Sequence, residues 1–175
     1  MGKRILPRKM GICLVLTMAF SLGSVSVVQA GIRSDSSKLY CPKGRLIAHV
    51  WRGGGKNSGN TKKWDYQVSS KYKGRAKIKW IQTRWYSAAS LRKSASISLG
   101  VSNSSASASS SSSWMTVKTK TKYWKNNNGS KSADWRSNTL VGPRKDYRSN
   151  TIYTSNTGTL KLKGYPKKYE ISAGI

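Results

Sequence analysis

Between Trp114 and Lys125 the chain reads WMTVKTKTKYWK. Met115, Val117, Thr119, Thr121 and Tyr123 alternate with Lys118, Lys120 and Lys122. A period of two separates these sets only on an extended chain, where successive side chains point to opposite faces. In a helix the same residues would scatter around the axis. The stretch is therefore expected to be a β-strand with one face on a core and a lysine face in solvent.

Other stretches read the same way. RLIAHVWR (45–52) is β-prone and stops at Gly53-Gly54-Gly55. Trp64, Tyr66 and Val68 alternate with Asp65, Gln67 and Ser69. In RAKIKWIQTRWYS (75–87), Ala76, Ile78 and Trp80 share one face and Lys77 and Lys79 the other, but Ile81 and Trp85 fall on the lysine face. That break in phase suggests a bulge or a strand covered on both sides. Asn128-Gly129 is a strong turn signal after 114–125. A last hairpin is read as TIYT–SNTG–TLKLKGY over 151–165, with SNTG as its turn. No helical periodicity of useful length appears beyond residue 30. Short strands between Gly, Asn and Ser turns predict an all-β fold, an antiparallel β-sandwich or barrel-like single domain.

The serine run SNSSASASSSSSW (102–114) tests the single-domain expectation. It holds nine serines, and no Gly or Pro occurs from 101 to 128, unlike a flexible Gly/Ser linker. Before it, Ala95, Ile97, Leu99 and Val101 are odd-numbered; within it, Ala106 and Ala108 are even-numbered. A turn near Asn103 would produce that switch. Cutting here would also leave two pieces that each bury only about 60% of their unfolded surface and would be marginal alone. Residues 94–113 are thus expected to be a Ser-rich hairpin or loop inside a single all-β domain over 31–175.

The first thirty residues are read differently. Lys3, Arg4, Arg8 and Lys9 precede the apolar run MGICLVLTMAFSL, and Val28-Gln29-Ala30 places small residues at the positions a signal peptidase reads. The apolar run is shorter than the roughly 20 residues a membrane span needs. Residues 1–30 are expected to be a cleaved secretory signal peptide, and the protein secreted. Cys13 lies within that segment and Cys41 beyond it, so the mature chain has no intrachain disulfide partner for Cys41.

Charge narrows the partners. Four of the 33 basic residues fall in 1–30 and all five acids lie beyond it. Residues 31–175 therefore carry 29 basic and five acidic side chains, a formal +24. Small domains need a net charge of only about 2–8 for solubility. An excess of this size attracts polyanions. The row Lys118, Lys120, Lys122 spaces charges about 6.6 Å apart along a strand. Lys77 with Lys79, Lys161 with Lys163, and Lys71 with Lys73 repeat that spacing. These rows are the candidate anion-binding residues. Exposed Trp beside lysine suits a lipid interface, a stacked base or a sugar. Trp85 and Trp124 are the candidate aromatic surface contacts, while Trp64 and Trp80 are read as core.

Catalytic material is sparse. His49 is the sole histidine and sits in a strand-like stretch. No metal-ligand spacing, activated-serine motif or nominated carboxylate pair is present. Asp65 and Asp134 are read as salt-bridge partners. The expectation is no enzyme, no cofactor and no metal. It is instead a secreted, strongly cationic protein that binds anionic bacterial envelope polymers or lipids, in the manner of an antimicrobial or bacteriocin. The alternatives are a non-lytic binder of anionic wall polymer or extracellular nucleic acid, or a β-hairpin pore former inserting 94–124. Oligomeric state is not legible.

Overall fold

The computed structural model describes residues 31–175, so the signal peptide expected over 1–30 lies outside the described residues. The described residues form twelve strands: β1 (Arg33–Cys41), β2 (Gly44–Arg52), β3 (Lys56–Ser58), β4 (Thr61–Gly74), β5 (Ile78–Leu91), β6 (Ser96–Ser98), β7 (Ala106–Ser107), β8 (Met115–Lys118), β9 (Lys122–Asn126), β10 (Ser132–Gly142), β11 (Tyr153–Leu162) and β12 (Lys168–Gly174). A single 3₁₀ turn, Arg144–Asp146, links β10 to β11. The fold is an all-β antiparallel sandwich. One sheet runs β1-β2-β4-β10-β6-β7, with β3 on β4; the other runs β12-β11-β5-β8, with β9 also on β5. Among the described residues no helix is long and apolar enough to cross a membrane.

The core lies between the sheets as three adjoining clusters. Leu46, Tyr72, Ile78, Ile81, Leu160 and Leu162 fill one end. Val50, Tyr66, Val68, Trp85 and Leu99 fill the middle. Trp64, Leu91, Ile97, Val141 and Tyr147 fill the other end. The alternation in 64–69 maps directly onto this arrangement: Trp64, Tyr66 and Val68 are buried while Asp65 is exposed.

Polar groups also cross the interior. The Ser87 hydroxyl bonds those of Thr139 and Thr154 at 3.1 and 3.0 Å. Asn156, fully buried, donates to the carbonyls of His49 (2.9 Å) and Ser69 (2.8 Å) in the opposite sheet. Buried amides need such partners, and these ones tie the two sheets together.

That network overturns the reading of SNTG as a turn. β11 runs unbroken through 153–162, and the closing hairpin is β11–β12, turning at 163–167. Asn156 is a cross-sheet linker, and Gly158 lies so close to Ser70 that an added Cβ would stand 2.7 Å from its hydroxyl. Turn-forming residue types are here used for close approach.

The Ser-rich segment doubles back on itself. β6 pairs with β7 through Ser96↔Ser107 and Ile97↔Ala106. The ladder continues through Ala108 N–H to the Ala95 carbonyl and Ser94 N–H to the Ser109 carbonyl. Ala95, Ile97 and Leu99 are buried on one arm, Ser104 and Ala108 on the other. At the tip, Ser104 Oγ accepts from Leu99 N–H and donates to the Val101 carbonyl. β6 belongs to the first sheet and β8 to the second, so 94–113 and 114–124 do not pair as one hairpin.

Two one-residue irregularities set where side chains point. Lys161 pairs with Trp80 but Leu162 with Ile78, so Lys79 is an extra residue in β5. Ala88 pairs with Lys118 but Trp85 with Lys122, so the partner strand advances four residues while β5 advances three. Each bulge flips the faces beyond it.

Candidate functional site

Four turns at one end of the sandwich carry basic residues and no acid: the β1–β2 hairpin turn, the β4–β5 and β9–β10 connections between the sheets, and the β11–β12 hairpin turn. They are 42–43, 74–77, 127–131 and 163–167, contributing Lys43, Arg75, Lys77, Lys131, Lys163 and Lys167. This turn pole encloses a cleft of about 310 Å³ floored by Ala76 and Ile78 and lined by Arg75, Lys77, Lys131 and Lys163. Its walls are held by the backbone. Lys163 N–H donates to the Lys77 carbonyl at 2.8 Å and Arg75 N–H to the Lys43 carbonyl at 3.0 Å. Lys131 Nζ reaches the Gly74 carbonyl at 2.9 Å. No carboxylate lines the cleft, so its cations repel one another until an anion arrives.

Of the sequence-predicted lysines, Lys77 and Lys163 meet in this cleft. Lys79 is exposed at the β5 bulge beside it. Lys161 lies one residue inside the pole and donates to the Pro166 carbonyl, bracing the β11–β12 turn. Lys118 and Lys120 are exposed toward the far end of β5, where Lys118 pairs with Ala88, and Lys118 Nζ sits 3.7 Å over the Tyr86 ring.

Lys122 is a correction. The bulge over 119–121 turns it off the face of Lys118 and Lys120 and sets it, half-buried, opposite Trp85. The three lysines do not form one row. Arg75 and Lys131 escaped the sequence reading because strand alternation says nothing of turns. The missed signal was that every turn at this end is basic.

Trp85 is the second correction. It is 2% exposed and not a surface side chain. Its indole N–H donates to Tyr66 Oη at 2.9 Å, and Tyr66 in turn donates to the Leu99 carbonyl. Burial pushes the Tyr66 phenol up to about 12. Trp80, read as core, instead stands half-buried on the outer face, with Lys125 Nζ 4.6 Å from its ring. Both reversals follow from the Lys79 bulge. Trp124 is 44% exposed, on β9 at the edge of the second sheet.

Trp85 still reaches a second cleft, of about 360 Å³, between the sheets beside β9. Trp85 and Trp135 stack with centroids 5.8 Å apart, and Trp124 leans on Trp135 at 5.5 Å and 42°. Tyr123 stands at the rim, Val101 and Ser102 come from the tip of the Ser-rich hairpin, and Lys122 is the one charged lining residue. Trp135 pairs across from Val68 and so faces inward. The alternation Ala133, Trp135, Ser137, Thr139 could have shown this.

The acids lie elsewhere. Glu170 pairs with Arg84 at 3.2 Å on the outer face of the second sheet, where both side chains are about half exposed, so the pair contributes little. Asp146 is buried against Arg92. Asp134 accepts from Gln67 rather than from a cation, unlike the salt bridge expected of it. Cys41 faces the core end, and burial raises its thiol above the ordinary range, which disfavours the reactive thiolate. Among the described residues no group of three or more His, Cys, Asp or Glu could hold a metal.

No protein-family model matches the chain, and no curated protein matches it in sequence. Among solved structures it is similar to the crystal structure of the GAE domain of GGA2p from Saccharomyces cerevisiae. The identity is 10%, over 80% of this chain and 95% of that one, with a TM-score of 0.27.

Proposed function

We propose that this is a secreted cationic protein that binds anionic bacterial surfaces, and that the turn pole is where the polymer docks. The observation that carries the reading is the pole itself: six basic side chains on four adjacent turns, four of them around one cleft, with no acid among them. Turns present side chains outward from a rigid scaffold, which suits binding. A chain of phosphates or carboxylates crossing the pole replaces lysine–lysine repulsion with attraction and releases its own counterions. Growth inhibition of a target cell is the consequence that an antimicrobial role adds to binding.

The experiment is retention of residues 31–175 on isolated bacterial wall, on anionic and zwitterionic vesicles, and on duplex DNA, across a salt series. Binding to wall or anionic vesicles that weakens steeply with salt is the expected result. Binding to DNA alone would reassign the partner to nucleic acid. A flat salt response on all four would end the polyanion reading.

A further inference from the structure

We infer that the Trp85–Trp124–Trp135 cleft is a second binding site, one that takes a single sugar ring bearing an anionic substituent. The two clefts share no lining residue, and Trp135 lies four residues along the chain from Lys131, about 13 Å at strand rise, so the cleft and the turn pole are separate and can fail separately. At about 360 Å³ the cleft falls at the small end of ligand pockets, and it has their usual make-up of aromatic walls with a few polar groups.

Ring geometry chooses the ligand shape. A flat base held between two rings needs planes about 7 Å apart, twice the ~3.5 Å contact distance. Trp85 and Trp135 are already stacked on each other at 5.8 Å, and Trp124 meets Trp135 at 5.5 Å, so no such slot exists. What faces the opening is a bend between two ring planes tilted by 42°. A puckered pyranose can lay its C–H face on one plane and turn its hydroxyls toward polar neighbours. Those neighbours are present: Lys122 and Ser102 line the cleft. Trp135 also lines it, and its indole N–H is buried without a hydrogen-bond partner. That N–H is sealed from solvent, so Trp135 offers a ligand its ring surface and the polar contacts fall to Lys122 and Ser102. Lys122 has no carboxylate beside it in the cleft, so it selects a uronate or a sugar phosphate over a neutral sugar.

The test is tryptophan-fluorescence titration with trigalacturonate, glucose 6-phosphate, maltotriose and a thymidine pentanucleotide. Wild type is compared with a variant in which Arg75, Lys77, Lys131 and Lys163 are all glutamine. Saturable binding of either anionic sugar is expected, equal in both proteins. Trp124→Ala should weaken it at least tenfold and Trp124→Phe should largely restore it. Lys122→Gln should weaken the anionic sugar and leave maltotriose unchanged. Trp124 is near half exposed and Lys122 half-buried, both outside the core clusters, so both variants should keep a single cooperative urea transition near the wild-type midpoint. No saturable signal with either anionic sugar, binding indifferent to Trp124→Ala, or Trp124-dependent binding of the pentanucleotide alone would each overturn the inference.

Discussion

The turn pole and the aromatic cleft solve recognition by opposite means. The pole is a set of loops with exposed cations and little apolar surface, and its attraction is long-ranged and screened by salt within about 10 Å. The cleft is made of rings fixed by the core, with one ammonium, and it acts only on contact. The difference is rooted in burial. The pole's cationic side chains lie outside the core and, apart from the surface bond of Lys131 to the Gly74 carbonyl, can be changed at little cost to the fold. Trp85 is at once a wall of the cleft and the centre of the middle core cluster. Function at the pole is separable from stability; in the cleft it is separable at Trp124 and Lys122 but not at Trp85.

The sharpest break of that contrast is Trp85→Ala. It should cost about 3–5 kcal/mol, as large-to-small changes of fully buried aromatics do, seen as a lower urea midpoint. It should empty the cleft as well. The fourfold glutamine variant at the pole should leave the urea midpoint unchanged or raise it slightly, because it removes self-repulsion. In the same protein the log–log salt slope for binding wall polymer should shrink by about 3, at roughly 0.7–0.9 per lost phosphate contact. Where the two proteins converge near 1 M salt, affinity near 50 mM should drop by about three to four orders of magnitude. If the pole variant unfolds easily, or Trp85→Ala does not, the division between the two regions is wrong.

Much of this arrangement was readable in the residues. The inward sets Trp64/Tyr66/Val68 and Ala95/Ile97/Leu99 followed from a period of two, and the switch from odd to even past Asn103 marks the turn of the Ser-rich hairpin. The side chains assigned to the wrong face share one physical reason. A bulge inserts a residue whose position residue type does not mark (the phase break at Ile81 showed only that one was near), and every side chain beyond it changes face. Carrying the phase of Lys77 and Lys79 across the Lys79 bulge put Trp85 outside and Trp80 inside. Carrying the phase of Lys118 and Lys120 across 119–121 put Lys122 in the wrong row. The misplacement of SNTG has a different cause. Asn and Gly favour turns when exposed, but a partner strand that supplies carbonyls to Asn156 and leaves no room beside Gly158 makes them interior residues. That information lies in the other sheet, in His49, Ser69 and Ser70, far away in sequence.

The cleft should also be the alkali-sensitive region. Tyr66, which braces Trp85, titrates near 10 when unfolded and at about 12 when folded. A raised folded value means full stability below pH 10 and progressive loss as pH climbs through 12. At about 1.4 kcal/mol per pH unit this removes about 2–3 kcal/mol across that window. Burial also raises Tyr72, Tyr147 and Tyr153, and these act in the same direction. Arg52, lowered to about 10 chiefly by burial and secondarily by Arg33, acts in the opposite direction. The informative quantity is therefore the difference between wild type and Tyr66→Phe. The variant should be about 1–2 kcal/mol less stable at pH 7, having orphaned the Trp85 N–H, yet lose less between pH 10 and 12. Parallel curves would remove Tyr66 as the source.

The smallest effect belongs between the two regions, at Lys118. Its ammonium lies 3.7 Å from the Tyr86 ring centroid on the outer face, apart from both pole and cleft. A cation–π contact at so exposed a site stabilises by about 0.5–1 kcal/mol. Lys118→Gln should lower the urea midpoint by that much or less. It should change the salt slope for polymer binding by no more than the one charge it removes, and leave the sugar titration untouched. Lys118 stood first in the sequence-predicted row, so this variant asks whether a lysine outside the pole belongs to the binding surface. A fall in polymer affinity comparable to that of the fourfold pole variant would extend the surface along β8 and erase the boundary between the pole and the rest of the sheet.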